Sequence, residues 1–442
     1  MVYFAYFLLL FVIVVVFFIT RKSIVLGFVW MFFLSNCALQ NFYLFYEPLK
    51  IPTIFLIFIS FCYFKKRLYR QRVDHKIKKA LLLYIFLTII AAFVSTFQGV
   101  SCNQFYHLAK QHFFNYGFLF YSIYIIRERK DIELFNSYLY KFTIFICSYA
   151  VFEYLTHMNF VEVMVSIINP SKYSSSLTEG MYENARGVLN GRFGSTFVHP
   201  LNFGQYLVVI LGYILLIPPK QKTNIWYFTI FFVFIGLVLS GSRSCIFPAI
   251  ILFLVYIFFD NSTRKKNYIL WFFIGVFAFS YINSNNELRR TIEGFFFIWD
   301  KDKQSNLNAG GSSVELREYQ WETIKDIASQ TSVLWGMGYG FISTKEFEDN
   351  SEGLFGIESI LFTIVLEGGI VGFLLYVSFY WSICGIIQNK YKIINGRRSV
   401  MILFVFGAYF ISLLLTGNRN TIVVFFTTMG VYYLTNAIRD VK

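Results

Sequence analysis

Long apolar stretches recur along the whole chain, separated by polar segments that are mostly short. Clear examples cover residues 2–19, 80–97 and 421–438. A helix needs about 20 mainly apolar residues to cross the hydrocarbon core of a bilayer. The strands of a membrane barrel would instead alternate apolar and polar residues over short segments. The pattern therefore predicts an all-α polytopic membrane protein in which residues 1–442 form a single transmembrane domain.

Thirteen membrane-spanning helices fit the hydropathy, and counts from twelve to fourteen are compatible with it. The predicted spans cover residues 2–19, 24–46, 51–64, 80–97, 111–126, 142–157, 202–217, 224–240, 245–259, 267–283, 357–378, 400–416 and 421–438.

Two connections, residues 157–201 and 284–356, are much longer than the others and are predicted to lie outside the cytoplasm. Loops of this length are usually functional or disordered. In the second loop, Ser312 and Glu315 have the spacing of a capping box, which predicts a helical segment over 313–329. The predicted helix presents one apolar face that carries an arginine. This face consists of Arg317, Trp321, Ile324 and Ala328.

Composition changes the interpretation of the charge. Charged residues make up 14% of the chain and hydrophobic residues 57%, whereas a soluble domain carries about 25% charged residues. A net charge of +14 would suggest a nucleic-acid partner for a soluble protein. With the carboxyl terminus inside, the cytoplasmic loops hold 25 of the 39 Lys and Arg residues. The positive-inside rule explains this distribution, so we expect a membrane partner and no nucleic acid.

Arginines outside the membrane are the first candidates for a site, because this topology concentrates positive charge inside. Three lie next to the ends of predicted spans, and two lie within the long loops. They are Arg192, Arg243 and Arg419, followed by Arg186 and Arg317. The planar guanidinium suits phosphate oxygens and stays charged in any environment. Charge neutralisation or snorkelling is the alternative, and it is weaker for Arg243, whose short SGSRS hairpin holds it near the hydrocarbon edge.

Carboxylates in predicted spans are the second set of candidates, since intramembrane ionisable groups are often functional. Glu358 stands at the water boundary and is a candidate proton acceptor, whereas Glu367 and Glu153 lie deeper and have structural roles as an equal alternative. His199 is a candidate ligand or base, although Pro200 beside it also suits the start of a helix.

Glycines and cysteines predict structure and no cofactor. Gly336, Gly338 and Gly340 are not preceded by a strand, so a tight turn returning the loop to the membrane is favoured over a nucleotide-binding fingerprint. Gly368, Gly369 and Gly372 suit close helix packing. The six cysteines have neither metal-ligand nor disulfide spacing. We expect neither a metal nor a cofactor.

Four motifs, in this order, resemble the O-antigen polymerase and ligase superfamily, which includes the Wzy-type polysaccharide polymerases. They are GRFGSTFVHPLNFGQYL, SGSRS, LREYQWETIKD followed by VLWGMGYGF, and IESILFTIVLEGGIVGFLLY. The resemblance covers about residues 185–380, and the first 150 residues match only in hydropathy.

The resemblance implies a GT-C-type transmembrane glycosyltransferase in the bacterial inner membrane. Its substrate would be an oligosaccharide linked to undecaprenyl diphosphate, used at the outer face for O-antigen, capsule or exopolysaccharide synthesis. The resemblance implies that Arg192, Arg243 and Arg317 bind the diphosphate. From the residues themselves we add Arg186 and Arg419 to this role and expect His199 in the substrate site. A chain-length regulator protein is a candidate partner.

One departure from the family pattern favours a repeat-unit polymerase. In the ligase branch a histidine usually begins the last motif, and this chain has Glu358 there. We therefore expect a polymerase in which Glu358 and Arg243 are catalytic. An O-antigen ligase is the alternative enzyme, and a lipid-linked sugar flippase or transporter is the alternative from another class. The charge favours an enzyme, because it lies at the outer border and not at the midplane of a cavity.

The orientation can be tested by cysteine labelling from outside the cell in a cysteine-free background. Probes at Ser174 and Asn306 should react, whereas probes at Gln71 and Asn395 should be protected, because the positive-inside rule puts the last two in the cytoplasm. Labelling at Gln71 would overturn the orientation.

Overall fold

The structure is a computed structural model that describes about three fifths of the chain. The described residues are 11, 14–15, 18–20, 23–36, 75–97, 104–110, 115–126, 128–163, 192–197, 199–217, 224–259, 313–329, 332–343, 359–392, 396–416 and 421–437. Over these ranges the regular structure is helical and contains no strand. The predicted all-α class is therefore confirmed.

Twelve α-helices lie within the described ranges. They are α1 (Ile24–Asn36), α2 (His75–Phe97), α3 (Gln104–Lys110), α4 (Gly117–Ile125), α5 (Arg129–Thr156), α6 (Pro200–Leu216), α7 (Asn224–Ser240), α8 (Arg243–Phe259), α9 (Ser313–Ser329), α10 (Ile360–Lys392), α11 (Gly396–Thr416) and α12 (Ile422–Ala437). Two short 3₁₀ turns are also present. Ser195–Phe197 precedes α6, and Phe341–Ser343 follows the loop that carries Gly336, Gly338 and Gly340, called the glycine-rich loop below.

The apolar helices identify a multi-pass membrane protein. By length and composition, α2, α10 and α11 can each cross a bilayer, and α6, α7, α8 and α12 are shorter apolar helices. Two predicted spans, 51–64 and 267–283, lie outside the described residues.

Helix α6 lies at the centre of the bundle. Nearly all of its side chains are buried, and it packs against α7, α8, α11 and α12. A helix that is apolar on every side is stable only when it is surrounded. Small residues bring its neighbours close, since a Cβ at Gly204 would lie 3.0 Å from Cys245 Sγ and 3.1 Å from Ser240 Oγ. The segment that precedes α6 therefore enters the middle of one end of the bundle.

Helix α5 begins well before the predicted span at 142–157. Its first residue is Arg129, because Glu128 and Asp131 form a reciprocal capping box, in which the Glu128 N–H donates to Asp131 Oδ2 at 3.0 Å. Hydropathy detects only the apolar part of such a helix. Its polar first turns, on the side predicted to be cytoplasmic, come from local capping chemistry.

Helix α10 is broken at Gly369, whose φ of 62° and ψ of −162° are not helical. The break leaves backbone carbonyls and N–H groups without their usual partners, and the glycine-rich loop supplies replacements. Met337 N donates to Leu366 O at 2.7 Å, and Gly338 N donates to Glu367 O at 2.9 Å. On the other side of the break, the N–H groups of α10 donate to the loop, in the pairs Ile370 N to Val333 O and Val371 N to Leu334 O, each at 3.1 Å.

The glycine-rich loop therefore serves as part of helix α10. Gly336, Gly338 and Gly340 all have positive φ angles, which glycine adopts without a steric penalty. Non-helical backbone at membrane depth is tolerated only where protein or water satisfies it. The sequence predicted that Gly369 serves close packing between helices. The structure corrects this, because Gly369 marks the break in α10 and accommodates the loop there.

The break at Gly369 and the glycine-rich loop bonded to it form a joint in α10. Helix α9 covers this joint from outside. Ile324 and Ile327 are buried against Met337, Phe341 and Leu366. The Trp321 ring lies 5.7 Å from the Phe362 ring, although its side chain is 46% exposed. The amphipathic helix of the second long loop therefore rests on the first half of α10.

The joint predicts opposite effects for two glycines of α10. Gly369→Ala should destabilise the protein by at least about 2 kcal/mol, because alanine is strained at this φ and its Cβ would lie 2.7 Å from Gly336 N. Gly385→Ala is the matched control, since no atom lies within 4 Å of the added Cβ. Thermal unfolding in detergent should show a lower midpoint for Gly369→Ala and an unchanged or higher one for Gly385→Ala. Equal midpoints would contradict the joint.

Candidate functional site

The segment that carries Arg192, before α6, lies beside the end of α7, which the turn to Arg243 follows. Phe193 N donates to Leu239 O at 3.0 Å, so Arg192 is next to the end of α7. The turn between α7 and α8 is tight, since Gly241 has a φ of 59° and its N–H donates to Val238 O at 3.0 Å. Arg243 is the first residue of α8 and is partly exposed, as is Arg192. Both guanidinium groups therefore belong to the same end of the bundle.

His199 caps the N-terminus of α6, and Pro200 takes the first helical position. Its Nδ1 accepts the N–H of Leu201 at 3.2 Å. Burial, and secondarily the positive charge of Arg192, lower the pKa of His199 to about 4. At neutral pH the ring is therefore uncharged and, with Nδ1 accepting, carries its proton on Nε2. This arrangement suits a hydrogen-bond donor and disfavours the general-base role considered for His199.

A buried carboxylate holds the segment that carries Arg192. Glu153, at the end of α5, is only 1% exposed. Its Oε2 accepts the N–H of Ser195 at 2.7 Å, and its Oε1 accepts Asn159 Nδ2 at 3.0 Å. Asn159 Nδ2 also donates to Ser195 O at 2.9 Å. Glu153 thus has the structural role that the sequence left as an alternative.

The hairpin between α11 and α12 is fastened to the same end of α6. Gln205 Nε2 donates to Ser412 O at 3.3 Å and to Thr416 Oγ1. Its Oε1 accepts the hydroxyl of Thr421 at 3.0 Å. One side chain therefore binds the last turn of α11 and the start of α12. The connection between Thr416 and Thr421 contains Arg419, which lies outside the described residues.

The predicted site residues fall into three groups. Arg192, His199 and Arg243 are described and lie at one end of the bundle. Arg317 lies in α9, whose buried positions include Gln320 and Ile324. Three predicted site residues are outside the described part of the chain, namely Arg186, Glu358 and Arg419.

Glu367 is part of the joint in α10. Its Oε1 accepts the N–H of Gly340 at 3.0 Å, and its side chain is 6% exposed. The same loop is fastened from the other side by Gln104, whose Oε1 accepts Tyr339 N at 3.3 Å. Ser95 Oγ donates to Trp335 O at 3.3 Å. These contacts tie the second long loop to α2, α3 and α10.

Three polar residues of this site could not be found from the sequence. Asn159 and Glu162 lie in apolar surroundings outside the four motifs, and Gln205 lies within the first motif but is not singled out by its charge or chemistry. Their only signal is polarity next to an apolar run, which is common at a membrane border. Among the described residues, no group of three His, Cys, Asp or Glu side chains could hold a metal ion.

Glu162 predicts a pH dependence of stability. Burial, and then the nearby Glu153 charge, raise the pKa of Glu162 to about 7. A raised pKa contributes stability that is complete below the unfolded-state pKa, near 4.5, and that is lost as the pH rises through about 7. Glu162→Gln should therefore gain stability relative to the wild type between about pH 5 and pH 8.

The measurement is the difference in thermal midpoint between the two proteins at each pH. Taking the difference removes the opposing effect of His199, whose lowered pKa makes both proteins less stable as the pH falls from about 6.5 to 4. Glu133→Gln, at an exposed position near the other end of the bundle, is the control. A difference that does not change with pH would contradict the raised pKa of Glu162.

The comparison with known families agrees with this architecture. A family model described as O-antigen ligase matches residues 228–377. The match includes most of α7, all of α8 and α9, the glycine-rich loop and the joint in α10. It therefore contains Arg243 and Arg317, whereas Arg192 and His199 precede it. Among curated proteins, none matches the chain. The family match confirms, over residues 228–377, the resemblance to the O-antigen polymerase and ligase superfamily that the motifs carry.

Proposed function

We propose that this protein is a polysaccharide repeat-unit polymerase of the inner membrane. It transfers a growing glycan from undecaprenyl diphosphate to a hydroxyl of the next lipid-linked repeat unit, at the outer face. The observation that carries the proposal is the contact of the Arg192 segment with the end of α7, where Phe193 N donates to Leu239 O at 3.0 Å, four residues before Arg243. The match to the O-antigen ligase family supports a lipid-linked glycan as the substrate.

The cations suit the leaving group of this reaction. Transfer breaks the bond between the sugar C1 and the diphosphate oxygen, and the electron pair leaves on the phosphate. The leaving diphosphate is already an anion, so it needs positive charge and N–H donors more than a proton. Arg192 and Arg243 provide guanidinium groups, and neutral His199 provides an Nε2–H donor. Arg317, Arg186 and Arg419 are proposed as further diphosphate ligands.

The acceptor hydroxyl must lose its proton as its oxygen bonds to C1. We assign this proton to Glu358, on the basis of its sequence position at the start of the last motif. A general base must come within about 3 Å of the reacting oxygen. In the sequence the proposed base stands two residues before the start of α10, while the diphosphate ligands Arg243 and Arg192 belong to α8 and the segment before α6. The proposed fold is of the GT-C type.

An O-antigen ligase is the second candidate, because the matching family model is described by that activity. A ligase would transfer the finished glycan to a different acceptor, and the same arginines would bind its diphosphate. The glutamate at position 358 is the feature that favours the polymerase. A flippase would use no acceptor hydroxyl at all.

Deletion of the gene distinguishes these candidates on a gel of surface glycans. Loss of the length ladder with one repeat unit retained is the result expected for a polymerase. Full-length chains left on the carrier lipid would identify a ligase, and the absence of any exported repeat would identify a flippase. Either of these results would overturn the proposal.

Arg243→Lys should reduce activity far more than a conserved charge suggests. Lysine keeps the charge and loses the two-pronged geometry that matches a phosphate. Loss of one charge-assisted hydrogen bond corresponds to about tenfold to hundredfold in kcat/KM. The measurement is extension of a purified lipid-linked repeat unit by the purified enzyme. Arg129→Lys is the matched control, since Arg129 is exposed and paired with Glu133 at the opposite end of the bundle. Wild-type kcat/KM in Arg243→Lys would remove the diphosphate role.

A further inference from the structure

We propose that Glu153 is a positioning residue that holds the Arg192–His199 segment in the conformation that binds the lipid diphosphate. The inference rests on the proposed function and adds to it a residue that touches no substrate. It is carried by the hydrogen bonds that converge on Ser195, at the centre of this segment.

Ser195 has an unfavourable backbone conformation that its neighbours enforce. Its φ is 52°, in the left-handed region that residues other than glycine, asparagine and aspartate rarely adopt. Such conformations persist only where the surroundings determine them, and they concentrate at functional sites. Ser195 is also completely buried. A residue of this kind sets the direction of the chain on both sides of it.

All three polar groups of Ser195 are bound by α5 and the turn after it. The N–H donates to Glu153 Oε2 at 2.7 Å, and the hydroxyl donates to Ile146 O at 2.7 Å. The carbonyl accepts Asn159 Nδ2 at 2.9 Å. Asn159 is itself oriented by Glu153 Oε1 at 3.0 Å. Two of the three attachments therefore depend on one carboxylate.

The position of Ser195 links this anchor to the proposed ligands. Arg192 lies three residues before it and His199 four residues after it. The backbone between them is short and closed by local bonds, from Phe197 N to Gly194 O at 3.0 Å and from His199 N to Phe197 O at 2.7 Å. A change in φ at Ser195 must therefore move Arg192 relative to His199 and α6.

The side-chain rings beside the anchor reinforce this arrangement. The Phe193 ring lies 5.4 Å from the Tyr154 ring in an edge-on contact and 6.3 Å from the His157 ring. Tyr154 immediately follows Glu153 in α5. The carboxylate and the aromatic contacts thus fasten the residues on both sides of Gly194 to the same helix end.

Glu153→Gln tests the role, because it preserves size and removes one acceptor. The amide group of glutamine would point a donor at either the Ser195 N–H or Asn159 Nδ2. The probe is undecaprenyl diphosphate, bound to the purified protein in nanodiscs. Misplacement of a ligand by about 1 Å can cost up to a hundredfold, and we expect the Kd to rise about tenfold. Glu133→Gln, at an exposed position in the same helix, should bind like the wild type.

Rescue separates positioning from general stability. Glycine adopts a positive φ without strain, so Ser195→Gly should restore binding in the Glu153→Gln background to within about threefold of the wild type. Ser195→Ala in that background should not restore it, because alanine loses the hydroxyl just as glycine does but retains the strain at positive φ. A Glu153→Gln protein that binds like the wild type, or one that glycine fails to rescue, would overturn the proposal.

A second measurement does not depend on the ligand. Amide hydrogen exchange over residues 192–197 should be faster in Glu153→Gln than in the wild type. In the double variant with Ser195→Gly it should be slower than in Glu153→Gln alone. Unchanged exchange would overturn the positioning role. If the wild type does not bind undecaprenyl diphosphate but exchange responds as expected, the proposed function fails and the anchoring by Glu153 stands. Should Glu153→Gln fail to fold, Asn159→Ala provides the test, since it removes one attachment to Ser195.

Discussion

Hydrogen bonding of backbone groups away from water is the constraint on which this structure depends. In lipid, a free N–H or C=O costs several kcal/mol, so irregular backbone must be satisfied by protein. The chain is irregular at two places within the described bundle, the Arg192–His199 segment and the break at Gly369. At each place a glutamate and a neighbouring loop replace the missing helical partners. Glu153 binds Ser195 N, and Glu367 binds Gly340 N.

These two joints explain why the apolar bundle can present polar chemistry at one end. Helix α6 is buried on nearly every side, and the arginine-bearing segments approach each other around its first turn. At the joint in α10, backbone, amide and hydroxyl hydrogen bonds connect the second long loop to α2, α3 and α10. A site assembled in this way is held by rigid helices. The residues that we propose as its ligands are carried by the short segments at the ends of these helices.

The two glutamates also show how an intramembrane carboxylate should be interpreted. Ionisable groups in spans are functional candidates by default, yet Glu153 and Glu367 act on the backbone. Their function, in our proposal, is indirect, since each fixes a segment that carries or supports site residues. Glu358 differs because the sequence places it at the water boundary. The backbone N–H groups that Glu153 and Glu367 bind therefore identify these two as carboxylates that organise the fold.

The sequence by itself determined the helical membrane class, the family resemblance and the arginine-bearing motifs. Apolar runs have a fixed length requirement, and short motifs keep their order along the chain. Only the tertiary structure decided that Gly369 breaks α10, that the glycine-rich loop fills the break, and that Glu153 anchors Ser195. The partners in these contacts are separated by tens of residues, 42 between Ser195 and Glu153. No local pattern records such pairs, because each residue alone is ordinary and only the packing of helices brings them together.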